Sequence, residues 1–209
     1  KQIDQVAKKF EENNRKSEQK NYSDEIKDKQ DNMEKLLEEL KNNQMAERMK
    51  KMEELMKMLN KDQLFDQLKQ MQQDNALMEK DLDRMLELMK QLERDMRLED
   101  LAKKAEDLAK KEDALNKETD AKSKSEQELK AQQDKLNQEM EELKKDMKEM
   151  EKVNEEMENK TDLKDIKKEQ ENAEQEMNKS SDELNKKNSS KASKSQKNAK
   201  ESLEKMAQK

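Results

Sequence analysis

The sequence predicts an all-α chain, built from extended helices that form antiparallel coiled-coil hairpins or an elongated helical bundle. Three observations carry this reading. Charged residues make up 48% of the 209 residues and apolar ones only 29%, too little apolar material for a large central core. Disordered chains share that balance, but they are rich in Gly and Pro, and this chain has Gly 0 and Pro 0. Lys, Glu, Gln, Leu, Met and Ala, all good helix formers, fill most of the remainder, so helix is expected over roughly 80 to 90% of the chain. The third observation is apolar spacing at the helical period.

The clearest such spacing runs through Leu129, Leu136, Leu143, Met150 and Met157, with Met140 and Met147 at the alternate positions. Gln133 and Asn154 occupy the same alternate series, where a polar residue weakens a seam but can fix its register. A second seam passes through Met78, Met85 and Leu92 interleaved with Leu82, Met89 and Met96. It slips by about one residue and resumes as Leu98, Leu101, Ala105, Leu108 and Leu115. An earlier and wider face runs from Ile26, Met33, Leu36, Leu37 and Leu40 through Met45, Met49, Met52, Leu55, Met56 and Leu59, and suits a bundle. Acid-first pairs at i, i+4 line the middle of the chain: Glu99 with Lys103, Asp100 with Lys104, Glu106 with Lys110 and Asp107 with Lys111.

Polar, capping-type residues interrupt these seams at 13–23, near Asn60, at 116–125, at 159–162 and at 188–195. Asn60 with Gln63, and Ser123 with Glu126, have capping-box spacing. Between Leu115 and Leu129 only Ala121 is apolar, and Thr119, Ser123 and Ser125 offer hydroxyls that compete with helical hydrogen bonds. The spacing therefore predicts a chain reversal within 116–125, pairing helices near 75–116 and 126–158 antiparallel, the alternative being one uninterrupted helix covered by partner chains. The division expected is N-terminal helices over 1–60, a long helical hairpin over 61–187, and a basic Ser/Lys-rich helical end over 188–209.

The chemistry available is narrow. One Tyr, two Phe and no Trp leave little for base stacking or ligand platforms. Without His or Cys the commonest general base, the thiol nucleophile and the usual zinc sets are missing. Without Gly there is no P-loop, dinucleotide fingerprint or calcium loop. Acidic runs such as Glu139, Glu141 and Glu142, or Glu155, Glu156 and Glu158, alternate with Lys and read as a solvated face. No catalytic residue, cofactor or metal site is therefore expected, and the chain is expected not to be an enzyme.

Eleven of the seventeen Met lie between Met33 and Met96. The plain reading is that they fill a loosely specified core. The alternatives are an adaptable groove, a Met-rich holdase or adaptor that clasps apolar segments of client proteins, and, as a third choice, Cu(I) binding. The end of the chain from Lys186 carries eight Lys against Glu201 and Glu204. With Ser189, Ser190, Ser193 and Ser195 interspersed and no aromatics, it reads as a solvated, weakly helical end, with weak attachment to an anionic membrane as the alternative. The net charge of −6 gives no reason to expect nucleic acid. The excess of Lys over Arg and the frequent Asn suggest an AT-rich, bacterial genome. No apolar run reaches the roughly 20 residues of a membrane span, and because residue 1 is Lys, a longer or processed protein with anchors outside this chain is expected.

Residues Leu82 to Lys111, LDRMLELMKQLERDMRLEDLAKKAEDLAKK, resemble a helical stretch of the bacterial domain-of-unknown-function family 4175, large envelope proteins of the Bacteroidota type. Leu82, Asp83, Arg84, Leu86, Glu87, Leu88, Lys90, Gln91 and Leu92 carry most of the likeness, together with the DLAKKAE repeats. Met85 and Met89 depart from it. The resemblance implies amino-terminal membrane helices, a long periplasmic helical region and no enzymatic residues. The function it leaves expected is a structural, scaffolding or protein-docking region of an envelope protein, in the periplasm and anchored to the inner membrane by segments not present here. Its partners would be proteins, either envelope complex subunits or further copies of the chain.

Overall fold

A computed structural model describes the backbone of residues 2–18, 20, 22–24, 26–35, 37–38 and 61–209, and the side chains of residues 7–15, 20, 22–24, 26–35, 37–38, 80 and 83–209. Among these residues every regular element is a helix: α1 (Gln2–Glu18), a helical stretch over 26–35, α2 (Lys61–Asp120), α3 (Glu126–Glu155), α4 (Lys164–Asn185) and α5 (Ser189–Ala207). The all-α expectation holds. The chain divides into two compact units, Lys1–Met96 and Arg97–Lys209.

In the first unit, Phe10, Tyr22, Ile26, Met33 and Leu37 share a core with Met85, Met89, Leu92 and Met96. The last four follow the 4-3-4 spacing that keeps one helix face inward. Asn13 is buried beside them and its Nδ2 donates to the Met89 carbonyl at 3.4 Å. At the rim, Lys29 meets Asp95 at 3.0 Å and Arg94 meets Asp95 at 2.8 Å. Leu36, Leu40, Met45, Met49, Met52, Leu55, Met56 and Leu59, together with the side chains of Gln63, Met78 and Leu82, lie outside the described residues, as does Asn60.

In the second unit the end of α2 and the whole of α3, α4 and α5 run up, down, up and down around one core. Cross-helix pairs tie neighbouring helices together and fix the antiparallel sense of α2 with α3 and of α3 with α4. Lys111 reaches Glu139 at 2.7 Å and Arg97 reaches Glu149 at 3.3 Å between α2 and α3. Lys144 reaches Glu174 at 2.6 Å and Lys167 reaches Glu151 at 3.1 Å between α3 and α4. Asn198 donates to Glu176 at 3.2 Å between α5 and α4, and Lys200 meets Asp113 at 2.9 Å between α5 and α2.

Each helix turns a face of alternating four- and three-residue spacing to this core. It is Leu101, Ala105, Leu108, Glu112, Leu115 and Thr119 on α2, and Leu129, Gln133, Leu136, Met140, Leu143, Met147, Met150 and Asn154 on α3. It is Ile166, Gln170, Ala173, Met177, Ser180 and Leu184 on α4, and Ala192, Gln196, Ala199, Leu203 and Met206 on α5. Burying each large apolar side chain here contributes on the order of 1.5 to 3 kcal/mol. Small residues at Ala173, Ser180, Ala192 and Ala199 let α4 and α5 approach each other more closely than α3 and α4 do.

The reversal expected within 116–125 is present and is shorter than the interval. Helix α2 continues through the predicted break to Asp120, and α3 starts at Glu126. The capping box is Ser125 with Glu128, two residues beyond the expected Ser123 with Glu126. The Glu128 amide donates to Ser125 Oγ at 3.3 Å, and Glu128 Oε2 accepts from the Ser125 amide at 2.9 Å. Ser123 is instead used to end α2, where its amide and hydroxyl both donate to the Glu118 carbonyl at 3.2 Å.

The stretch from 188 onward, read as a solvated and weakly helical end, is a bundle helix. Its small residues Ala192, Ala199 and Ser202 do not mark a seam of large side chains but are buried together with Leu203 and Met206.

Candidate functional site

Among the described residues, the largest concentration of buried polar chemistry lies at the middle of the second unit. Each of its four helices contributes one residue to a single layer: Glu112, Gln133, Ser180 and Gln196, all 0% exposed. Each stands in register with apolar neighbours on its own helix, so the layer interrupts the core without breaking any helix. Gln133 is its hub. The Gln133 Oε1 accepts from Ser180 Oγ at 2.7 Å and from Gln196 Nε2 at 3.1 Å. The Gln133 Nε2 donates to Glu112 Oε2 at 3.1 Å and to Asn137 Oδ1 at 3.3 Å. Its carboxamide therefore makes four bonds, the full capacity of the group.

Burial pushes the Glu112 carboxyl up to about 8, while the hydrogen bond from Gln133 acts in the opposite direction. Sequence spacing singles out Gln133 as a polar seam residue, and it is buried in the core as the hub of the layer. Glu112 goes unrecognised because it sits in the charge-rich KKED run, where a carboxylate reads as one more solvated residue. The seam count Leu108, Glu112, Leu115 is the only signal that could have found it.

Asn154, the other polar seam residue, has a different task. Its Nδ2 donates to the Thr161 carbonyl and its Oδ1 accepts from the Thr161 amide, both at 2.9 Å, which holds the α3–α4 connection. Around the core, the i, i+4 pairs Glu99–Lys103, Glu106–Lys110 and Asp107–Lys111 form at 2.7, 2.7 and 2.9 Å. Lys104 turns across to Asp146 on α3. Lys111 bridges both ways, and its ammonium is pushed up by the bonds to Glu139 and Asp107.

Two clefts mark the surface of this unit. One of about 660 Å³ lies at the end where the α2–α3 and α4–α5 turns meet, lined in part by Thr119, Lys124, Leu129 and Asn188. The helix N-termini there are already capped, α3 by Ser125 and α5 by Asn188, whose side chain accepts from the Lys191 amide at 3.4 Å. Lys124 is engaged by Glu118 at 2.8 Å. The other, of about 180 Å³, lies between α3 and α4 beneath the Lys144–Glu174 and Lys167–Glu151 pairs.

Among the described residues no group of His, Cys, Asp or Glu is placed to hold a metal ion. The acidic runs fall on exposed or half-exposed faces, with Glu139 paired to Lys111 and Glu141 within 3.7 Å of Lys144. Met33, Met85, Met89 and Met96 are covered by their own unit, so a groove for apolar clients draws no support from them. No helix among the described residues is long and apolar enough to cross a membrane. No family model, curated protein or solved structure matches the chain.

Proposed function

We propose that this chain is a non-enzymatic helical scaffold whose charged outer surface docks protein partners. The observation that supports the reading best is how the side chains are used: among the described residues, the apolar positions hold helices to one another. The outer faces carry ion pairs bridging neighbouring helices, which suits a surface for polar, salt-sensitive contacts. The buried polar layer is closed off from solvent on all four helices, which disfavours a role in turning over a substrate.

Placement in a bacterial envelope, with anchors outside this chain, rests on the resemblance of Leu82 to Lys111 alone. Crosslinking in native cells from exposed outer positions, such as Lys110, Lys135 or Lys168, tests the reading. A small, fixed set of stoichiometric subunits supports scaffolding. A broad spectrum of unfolded clients would favour the holdase alternative, and recovery of a small-molecule turnover activity would overturn the reading.

A further inference from the structure

A buried layer can be checked by counting donors against acceptors, because an unpaired polar atom in a core is destabilising. With Gln133 fully used, two acceptors of the layer have no donor: Glu112 Oε1 and Gln196 Oε1. Ser180 gives its proton to Gln133, and the Gln196 amide nitrogen is turned to Gln133. Turning both carboxamides over does not remove the mismatch. Gln133 Oε1 would then face Glu112 Oε2, and two acceptors would meet there. A carboxylate can only accept, so three groups joined in this way are one donor short in either orientation.

We propose that Glu112 is held protonated in the folded bundle, and that its O–H, donated to the Gln196 side-chain oxygen, closes the polar layer as a proton-dependent lock between α2 and α5. One proton removes both unpaired acceptors. No covalent bond other than O–H changes, and the proton comes from solvent.

The surrounding charges leave this group alone. On α2, Asp113 points outward to Lys117 at 2.7 Å and Lys200 at 2.9 Å. On α3, Asp134 is held by Lys130 and by the Ser181 hydroxyl, both at 2.5 Å. On α4, Ser180, Ser181 and Asn178, the last bonded to Asn137, do not ionise, while Glu176 is engaged by Lys179 at 2.5 Å. On α5, Lys200 is engaged by Asp113, and Lys197 is exposed. Burial, with the Gln133 bond opposing it, thus sets the state of Glu112, and no charged neighbour adds to either.

The sign follows directly. An unfolded Glu titrates near 4.5 and the buried one near 8, so between these values the folded chain keeps a proton that the unfolded chain has lost. The site's contribution is complete below 4.5, falls as pH rises through the window and levels off above about 8. The unfolding constant of the second unit should therefore gain up to about tenfold per pH unit from this group alone.

Two measurements on the full chain decide the matter. The first follows the Glu112 carboxyl carbon by NMR in protein labelled at Glu side chains. Titration near 8 is expected, and titration near 4.5, the signature of an ionised and hydrated side chain, would overturn the proposal. The second compares urea unfolding of the wild type and Glu112→Gln by circular dichroism, because the Gln amide can donate where the proposed O–H does. The ratio of their unfolding constants is expected to change about 100-fold between pH 5.5 and 7.5. A constant ratio would overturn the proposal, and if Glu112→Gln does not fold, the carboxyl titration alone decides.

Discussion

Asn154 closes on the backbone of Thr161 with both ends of its carboxamide, donating to the carbonyl and accepting from the amide at 2.9 Å each. A residue seven positions on is thereby held as a strand partner would hold it, at the point where α3 has ended and the chain turns towards α4. Asn154→Ala removes both bonds and is expected to cost roughly 1 to 3 kcal/mol in urea unfolding. Asn154→Leu, which restores seam volume but not the bonds, should not recover it. Recovery by Leu would show that Asn154 acts through packing alone.

Two turns end in left-handed residues without a glycine to supply them. Lys122 has φ 48° and Lys187 has φ 61°. In both, the amide at the left-handed position bonds three residues back and the next amide bonds five back, Lys122 to Thr119 with Ser123 to Glu118, and Lys187 to Leu184 with Asn188 to Glu183. This is the helix-ending pattern that favours Gly at that position. Lys122→Gly and Lys187→Gly should each stabilise the second unit by about 0.5 to 1 kcal/mol in urea unfolding, since relief of the side-chain clash outweighs the added backbone freedom. Loss of stability in both variants would contradict these turn assignments.

The α2–α3 half of this arrangement is legible in the sequence and the α4–α5 half is much less so. Leu129, Leu136, Leu143 and Met150 advertise their seam because every seventh residue is large and apolar. Along α4 and α5 the equivalent positions are Gln170, Ala173, Ser180, Ala192, Gln196, Ala199 and Ser202, small or polar side chains that do not stand out as a seam of large apolar residues. They are buried because small side chains allow close backbone approach and because the Gln and Ser residues find hydrogen-bond partners inside. The reversal is legible as a loss of apolar spacing, but its capping box is not. Ser123–Glu126 and Ser125–Glu128 have identical spacing, and only the Glu118 carbonyl, which occupies Ser123, separates them. The polar layer is half legible, since Gln133 interrupts an obvious seam and Glu112 hides in a charge run.

Close approach between α4 and α5 makes its own prediction. Ala199 is 0% exposed and faces the core from α5. Ala199→Leu overfills that interface and should destabilise by roughly 1 to 3 kcal/mol, whereas Met147→Leu on α3 conserves volume and should cost less than about 1.5 kcal/mol. Thermal unfolding of the two variants side by side checks the contrast. Equal tolerance of both would mean that the helices do not approach as closely as described.

The hairpin between α2 and α3 brings Glu112 to Gln133, and one distance tests it. Lys110 and Gln138 are exposed on the two helices on either side of the 121–125 turn, and the chain has no Cys, so a cysteine at each takes a spin label cleanly. A reversal at this turn brings adjacent helix axes to roughly 10 Å, with labels broadened by close coupling. A helix running straight through the turn would set them 28 residues apart, or about 42 Å, from the rise per residue. Strong short-range coupling in the magnetically diluted protein is the predicted result, and a narrow distribution near 42 Å would contradict the fold and the polar layer together.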